Sequence, residues 1–147
     1  MQNKYIVIGD VHGRGTWVST EKYIKEGYKI IFLGDYMDTH DDIDTLSIHM
    51  NFLEIIRFKE DYPNDVILLV GNHDYSYLNP IGQCSGYRHQ TQFFVNHNRD
   101  LFLKHLKVMN MHRIILLQRI FYLFPFYYYF PCFLYIGLDK LLFLHLK

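Results

Sequence analysis

The stretch YIVIGDVHG, residues 5–13, joins an apolar run to a short polar motif. The same join recurs twice: residues 30–33 lead into Gly-Asp-Tyr-Met-Asp at 34–38, and residues 66–70 lead into Gly-Asn-His-Asp at 71–74. Continuous runs of β-branched residues and leucine are typical of strands buried on both faces. The sequence therefore predicts three buried strands, each ending in a glycine turn that carries Asp, Asn or His.

The segments between these strands carry helical patterns. Residues 16–26 form the first predicted helix, which Gly27 ends. The second follows the negative charge of Asp41 and Asp42 and closes at Pro63. Its predicted apolar face consists of Ile43, Leu46, Met50, Leu53 and Ile56. Alternating strands and helices predict right-handed crossovers and a parallel sheet, and so an α/β fold with a βαβαβ start.

After the third strand, the chain is predicted to form a loop near the strand ends over residues 75–87 and a helix over about residues 88–108. His89, His97 and His105 recur every eight residues along that helix. We expect them on its polar face, because no carboxylate pairs with them in the sequence pattern.

The residues at the strand ends are suited to metal binding. In open parallel sheets, ligands bind at the carboxyl ends of the strands. Asp10 and His12, separated by one residue, point to the same side, and Asp35 arrives from the next strand. Carboxylate and imidazole together suit Mn, Fe or Zn better than Ca or Mg. Asn72 adds a neutral amide oxygen, so the pattern predicts a two-metal site, although Gly, Asp and Asn are also ordinary turn formers.

His73 directly follows Asn72, so we expect it to face the substrate rather than the same metal. A histidine there can protonate a leaving alkoxide as a general acid. Asp38 is predicted to accept a hydrogen bond from His73 and so fix its tautomer. A turn or helix-capping role for Asp38 and a metal-ligand role for His73 remain open.

In their order and spacing, the three motifs resemble those of the calcineurin-like metallophosphoesterase superfamily, whose pattern runs Asp-x-His, Gly-Asp-x-x-Asp and Gly-Asn-His-Asp/Glu. Residues 9–13, in the form Gly-Asp-x-His-Gly, also look like its protein-phosphatase and dinucleoside-tetraphosphatase branch. The resemblance covers about residues 3–109, the first half of a family domain. It implies a partial metallophosphoesterase fold, half of an α/β/β/α sandwich.

The resemblance also implies a role for each matching residue. Asp10 and His12 would bind the first metal, Asp35 would bridge, Asn72 would bind the second metal, and His73 with Asp38 would form an acid dyad. Two divalent cations, Mn, Fe or Zn, would share a hydroxide that attacks phosphorus. The expected partner is a phosphate ester, which could be a phosphoprotein, a dinucleotide or a small phosphomonoester.

Two departures from the family pattern stand out. The protein-phosphatase branch follows its second motif with Arg-Gly, where the arginine grips the phosphate, whereas this chain has Thr39 and His40. Arg14 is the predicted substrate-binding replacement, with Arg88 as a second candidate; a solvated surface arginine is the alternative for each. The later histidine and Gly-His-x-His motif of the family are also missing, and His145 is better interpreted as a tail histidine without a role.

The composition changes at about residue 110. Asp139 is the one acidic residue after that point, and residues 120–138 carry no charge. Pro125 and Pro131 interrupt this stretch, so a transmembrane helix is not favoured. We therefore predict two parts, a metallophosphoesterase N-terminal half over residues 1–109 and an atypical aromatic and apolar tail over residues 110–147. A frameshifted or truncated ancestral domain is the preferred explanation, with a lipid-contacting tail or a cryptic core segment as alternatives.

Length and charge limit the other possible functions. The chain has 147 residues, enough for one domain, and its formal net charge is zero. There is no basic stripe, so no nucleic-acid partner is expected. Cys84 and Cys132 are far apart and form no metal-binding or redox pair, and no signal peptide is recognised. A cytoplasmic location is the resulting expectation.

Two functional hypotheses remain. The first is an enzyme that hydrolyses phosphate esters with divalent metals and is impaired by loss of the second half of its domain. The second is a non-catalytic, metal-binding remnant of a phosphoesterase. In that case the second cation would depend on Asp35 and Asn72 alone, which is a poor set of ligands.

Overall fold

The computed structural model describes residues 4–79 and 83–107, together with the backbone of residues 141–143. The strands are β1 (Lys4–Ile8), β2 (Tyr28–Phe32), β3 (Val66–Leu69), β4 (Leu106–Lys107) and β5 (Leu141–Phe143). The α-helices are α1 (Glu21–Lys25), α2 (Thr45–Asp61), α3 (Asn72–Leu78), α4 (His89–His97) and α5 (Arg99–His105), and a 3-10 helix, Gly15–Thr20, precedes α1.

The sheet is parallel throughout, with the strand order β4-β3-β2-β1-β5. Ile30 of β2 pairs with Ile6 of β1 on one side and with Val66 of β3 on the other. Because β1, β2 and β3 run in the same direction, their carboxyl ends meet at one edge. The predicted α/β fold with a parallel sheet is confirmed, and the three polar motifs follow strands that are neighbours in the sheet.

An aromatic cluster fixes α2 and α5 beside the strands. Phe52 of α2 stacks on Phe102 of α5 with a ring-centroid separation of 4.4 Å, and it also contacts Tyr36, whose ring centroid is 5.5 Å away. All three side chains are fully buried. Burial of each apolar side chain of this size contributes roughly 1.5–3 kcal/mol, so the cluster anchors the loop after β2, which includes Tyr36.

The predicted apolar face of α2 is correct at Ile56, which is buried, but wrong at Leu46 and Met50. Leu46 and Met50 are 69% and 45% exposed, respectively. The buried positions are Ile48, Asn51, Phe52, Ile55, Ile56 and Phe58. The first five follow the i, i+3, i+4, i+7, i+8 rhythm. The helix also begins at Thr45, where the side chain of Asp44 accepts the N–H of Ser47 at 2.9 Å as an N-cap.

The prediction for residues 75–108 needs three corrections. Helix α3 already begins at Asn72 and occupies the first four residues of the predicted loop. The long helix is divided at Asn98, whose side-chain amide donates to the carbonyl of Phe94 at 2.8 Å and so ends α4. His105 is buried, with Nε2 3.3 Å from Oε1 of Glu60, so it does not lie on a polar face.

The predicted tail over residues 110–147, including His145, lies outside the described residues except for the backbone of β5. The division at residue 109 stays a prediction. None of the helices in the described ranges is long and apolar enough to cross a membrane.

Candidate metal and acid–base site

Backbone hydrogen bonds join the first two motifs at the edge of the sheet. The N–H of Val11 donates to the carbonyl of Gly34 at 3.2 Å, and that of His12 donates to the carbonyl of Asp35 at 2.7 Å. The loops after β1 and β2 therefore form one unit rather than two independent turns.

The side chain of Asp74 joins the third motif to the second. One carboxylate oxygen accepts the N–H groups of Asp35 at 2.7 Å and Gly71 at 3.0 Å, and the other accepts the N–H of Tyr36 at 2.8 Å. Asp74 is completely buried. Burial, followed by the nearby charge of Asp35, raises its pKa to about 7, against the opposing effect of the three N–H donors. Asp74 belongs to the third sequence motif, but the sequence alone indicated no role for it.

The backbone is strained at two of the candidate metal ligands. His12 and Asp35 have φ angles of 46° and 54°, in the left-handed region. Asp and His enter this region more readily than most residues, and such conformations cluster at functional sites. Gly34 and Gly71 pass so close that a Cβ on either residue would collide with the backbone of the other motif. The turns are therefore shaped to bring the strand ends together.

Asp10, His12 and Asp35 form the first ligand cluster. Each offers one ligand atom, and these atoms lie within 4.8 Å of one another. Asp10 is exposed, whereas Asp35 is buried. Burial raises the pKa of Asp35, while the N–H of His73, 2.9 Å from its carboxylate, stabilises the charged form.

The orientation of His12 fits metal binding. Its Nδ1 lies 2.8 Å from the backbone carbonyl of Asp38, so the proton belongs on Nδ1 and the lone pair of Nε2 is left for a cation. The negatively charged side chain of Asp38, whose Oδ1 lies 3.3 Å from Nδ1, is the main reason that the pKa of His12 is raised to about 8. A carboxylate pair with one oriented imidazole is a donor set that suits a divalent transition metal.

Asp38 and His73 form the second part of the site. Nδ1 of His73 lies 2.8 Å from Oδ2 of Asp38, the contact that the sequence led us to expect, and Asp38 is 1% exposed. Burial opposes the charge of Asp38, but the nearby His12 and the hydrogen bonds from His73 and Cys84 outweigh it and lower its pKa. Nε2 of His73 makes no hydrogen bond with any residue that the structure describes, so it is available for another group. The role of the pair as an acid dyad stays a prediction.

Cys84 is a member of the site that sequence reasoning missed. Its Sγ lies 3.1 Å from Oδ2 of Asp38, and Asp38, His73 and Cys84 form a second group whose ligand atoms lie within 4.8 Å of one another. Burial, followed by the hydrogen bond to Asp38, raises the pKa of the thiol to about 11, so the resting group is the thiol. The one signal in the sequence was the predicted position of this loop near the strand ends.

The remaining predicted site residues differ in their surroundings. Asn72 is exposed at the start of α3, next to His73, and its role as a metal ligand stays a prediction. Arg14 pairs with Asp41 through Nε at 2.9 Å and Nη2 at 2.6 Å. Arg88 donates to the carbonyls of Thr39 and Ile43 and to the hydroxyl of Thr45. It therefore ties down the loop before α2 and is not free to grip a phosphate.

One comparison with known proteins gives a match. The model of the family described as calcineurin-like phosphoesterase matches residues 4–132 of this chain, a range that contains the three motifs and Cys84. It extends beyond residue 109, the boundary predicted from composition. Comparison with curated proteins and with solved structures gives no match.

Proposed function

Because the chain belongs to the calcineurin-like phosphoesterase family, we propose that it hydrolyses phosphate esters with divalent cations held at the edge of the sheet. The observation that carries this proposal is the position of the Asp10, His12 and Asp35 cluster beside the hydrogen-bonded pair of Asp38 and His73. The cluster of three residues can hold a cation, and the neighbouring pair can transfer a proton beside it.

The proposed cation ligands are Asp10 and His12 for the first ion, Asp35 as a bridge, and Asn72 for the second. Mn, Fe or Zn fits the carboxylate and imidazole donors. Bound at these residues, such ions would activate a water molecule and offset the charge of the phosphoryl oxygens. The N–H of His73 holds the Asp35 carboxylate, so the proposed bridging ligand is oriented before any ion arrives.

His73 is the proposed general acid. With Nδ1 bonded to Asp38, its Nε2 would donate a proton to the leaving oxygen of the ester. Asp38 orients the ring and stabilises its protonated form, because its own pKa is lowered and it stays negative. Arg14, at the beginning of the 3-10 helix, is the proposed phosphate contact.

Phosphoproteins, dinucleotides and small phosphomonoesters remain the proposed substrate classes, with the protein-phosphatase and dinucleoside-tetraphosphatase branch as the proposed relatives. We also keep the cytoplasm as the proposed compartment. The metal chemistry is the same for all three substrates, so a small activated ester is suitable for the first assay.

The second candidate is a metal-binding protein without turnover. It is favoured by the unequal surroundings of the two proposed ions. Asp10, His12 and Asp35 converge on one ion, whereas the proposed second ion has Asp35 and an exposed Asn72 among the described residues. Calorimetry separates the two candidates, since one tight Mn²⁺ per chain without turnover favours the binding protein and two with turnover favour the enzyme.

The enzyme proposal is tested with the full chain, purified with Mn²⁺ and assayed on an activated aryl phosphate. Asp35→Asn should abolish hydrolysis, because it removes the bridging charge. Asp61→Asn, an equal change of charge at the exposed end of α2, serves as the matched control. Turnover that survives Asp35→Asn at the control rate would exclude this site as the source of activity.

A further inference from the structure

The side chains of Asp38, His73 and Cys84 meet on the Nδ1 side of the His73 ring, and each of them can act as a metal ligand. Oδ2 of Asp38 lies 2.8 Å from Nδ1 of His73 and 3.1 Å from Sγ of Cys84. The structure assigns to Asp38, His73 and Cys84 a second kind of cation site, one that binds a thiophilic divalent ion such as Zn²⁺ and thereby inhibits the proposed hydrolysis. We refer to these three residues as the thiol cluster.

The thiol cluster has an unused ligand atom. Asp38 is 1% exposed, and its Oδ1 makes no hydrogen bond with any residue that the structure describes. Nδ1 of His12 is 3.3 Å from that oxygen, but its proton is directed to the backbone carbonyl of Asp38, which is closer at 2.8 Å. A buried carboxylate oxygen without a donor is unfavourable, and a cation that the Asp38 carboxylate binds through both oxygens would satisfy it.

The distances are close to those of a zinc site. Zn²⁺ binds sulfur at about 2.3 Å and nitrogen or oxygen at about 2.0–2.2 Å, so tetrahedral ligands stand roughly 3.3–3.6 Å apart. The observed separations of 2.8 and 3.1 Å would have to increase by about half an ångström. Small side-chain rotations are enough for such a change, and the fourth position would be taken by water.

The donor set distinguishes this site from the first cluster. Thiolate ligands select Zn²⁺ and other soft ions, whereas carboxylate and imidazole also serve Mn²⁺. Asp10, His12 and Asp35 include no sulfur, so the first cluster can take Mn²⁺ as well as Zn²⁺, whereas the thiol cluster is expected to favour Zn²⁺.

Binding at the thiol cluster would disable His73. The thiol proton of Cys84 leaves to solvent as the sulfur–metal bond forms, and the imidazole proton moves from Nδ1 to Nε2 as the nitrogen–metal bond forms. An imidazole coordinated through Nδ1 keeps its one proton on Nε2 and cannot become an imidazolium. The remaining N–H is too weak an acid to protonate a leaving group at neutral pH, so His73 is lost as the general acid. The inhibition rests on the proposed function, whereas the binding of the metal does not.

Absorption tests the binding directly. The full chain carrying Cys132→Ser, in reducing buffer, is titrated with Co²⁺ as a coloured substitute for Zn²⁺. We expect near-ultraviolet thiolate-to-cobalt charge transfer that Zn²⁺ abolishes. Both Cys84→Ser and Cys84→Ala in the same background should lack the band, with circular dichroism to verify the fold. A band that is absent from the Cys132→Ser protein, or that persists in either Cys84 variant, would overturn the site.

Activity tests the consequence. Each protein is loaded with Mn²⁺, and Zn²⁺ inhibition is expressed relative to that protein's own rate without Zn²⁺. The Zn²⁺ concentration for half inhibition should rise at least ten-fold in the Cys84 variants. Equal inhibition of all three proteins would refute the inhibitory role. If no protein turns over, the proposed function fails while the absorption result still decides whether the metal site exists.

Discussion

The carboxylate of Asp74 accepts the backbone N–H of Asp35 at a distance of 2.7 Å. The two residues are 39 positions apart in the chain, and the bond joins the loop after β2 to the start of α3. Because the same carboxylate also holds Tyr36 and Gly71, one buried side chain determines how the second and third motifs sit together. The shape of the proposed metal site therefore depends on a residue outside the proposed set of ligands.

We predict that Asp74→Asn destabilises the protein. The amide has a single oxygen, so its NH₂ group must face either the N–H of Tyr36 or those of Asp35 and Gly71. An unsatisfied buried donor costs about 1–3 kcal/mol. Urea unfolding should show this loss in the free energy of unfolding, and exposed Asp61→Asn should differ little from the parent. Equal stability of the two variants would show that the carboxylate is not needed.

Gly71→Ala should be much more damaging than Gly9→Ala. A Cβ at Gly71 would collide with the carboxylate and backbone N–H of Asp35, whereas a Cβ at Gly9 meets nothing within 4 Å. Collisions with backbone atoms cannot be relieved by rotating a side chain, so a loss of roughly 1–3 kcal/mol or more is expected. Thermal unfolding and Mn²⁺ calorimetry on both variants measure it. A Gly71→Ala protein as stable as Gly9→Ala would contradict the close approach.

The convergence of these side chains could be predicted from the sequence because most of them follow the strands directly. An apolar run reveals a buried strand, and parallel strands bring their ends together whatever the loops do. Asp10, His12 and Asp35 therefore needed no knowledge of tertiary packing to be placed at one edge. Asp38 and His73 could be paired because they belong to two of the same motifs.

Other features depend on packing that a local pattern does not encode. Leu46 and Met50 were predicted to lie in the core because they are apolar. The orientation of α2 is instead set by the face that carries Phe52, which packs against Tyr36 and Phe102. Cys84 contacts Asp38, although the two residues are 46 positions apart in the chain. Cys84 lies in an irregular loop, and no periodic sequence pattern predicts the course of such a loop. Gly71–Asp74 looked like a turn, although the side chain of Asp74, at the third position of α3, accepts the N–H of Gly71 and helps to start a helix.

Stability should fall faster at low pH in the parent than in His49→Gln. His49 stacks on Phe94 with ring centroids 4.1 Å apart, and Nε2 is 3.3 Å from the hydroxyl of Thr91. Burial, followed by the charge of Arg88, lowers its pKa in the folded state. The unfolded chain therefore takes up this proton first, near pH 6.5. The contribution of neutral His49 to the free energy of unfolding is therefore complete above that pH. It is lost as the pH falls toward the pKa of His49 in the folded state.

Urea midpoints measured in steps from pH 7.5 to pH 5.5 check this prediction. Both proteins contain the other titratable groups, so the difference between parent and His49→Gln isolates His49. The difference in urea midpoint between the parent and His49→Gln should become smaller as the pH falls. A constant difference across the range would mean that the environment of His49 does not penalise its charge.

The pair of Arg14 and Asp41 offers a test of the predicted phosphate contact. Arg14 is 37% and Asp41 49% exposed, and an exposed ion pair contributes about 0–1 kcal/mol, so a phosphate dianion can displace the aspartate. If Arg14 binds substrate, Asp41→Asn should lower KM for an aryl phosphate by up to about five-fold, because it frees the guanidinium. Arg14→Ala should raise KM by roughly ten-fold with little change in kcat, since a hydrogen bond to a charged group is lost equally from the ground and transition states.

The double variant should behave like Arg14→Ala, because Asp41 competes with substrate only through Arg14. Steady-state kinetics at two salt concentrations measure all four proteins. An unchanged KM in Arg14→Ala would remove Arg14 from the substrate site and leave its pairing with Asp41 as a surface contact.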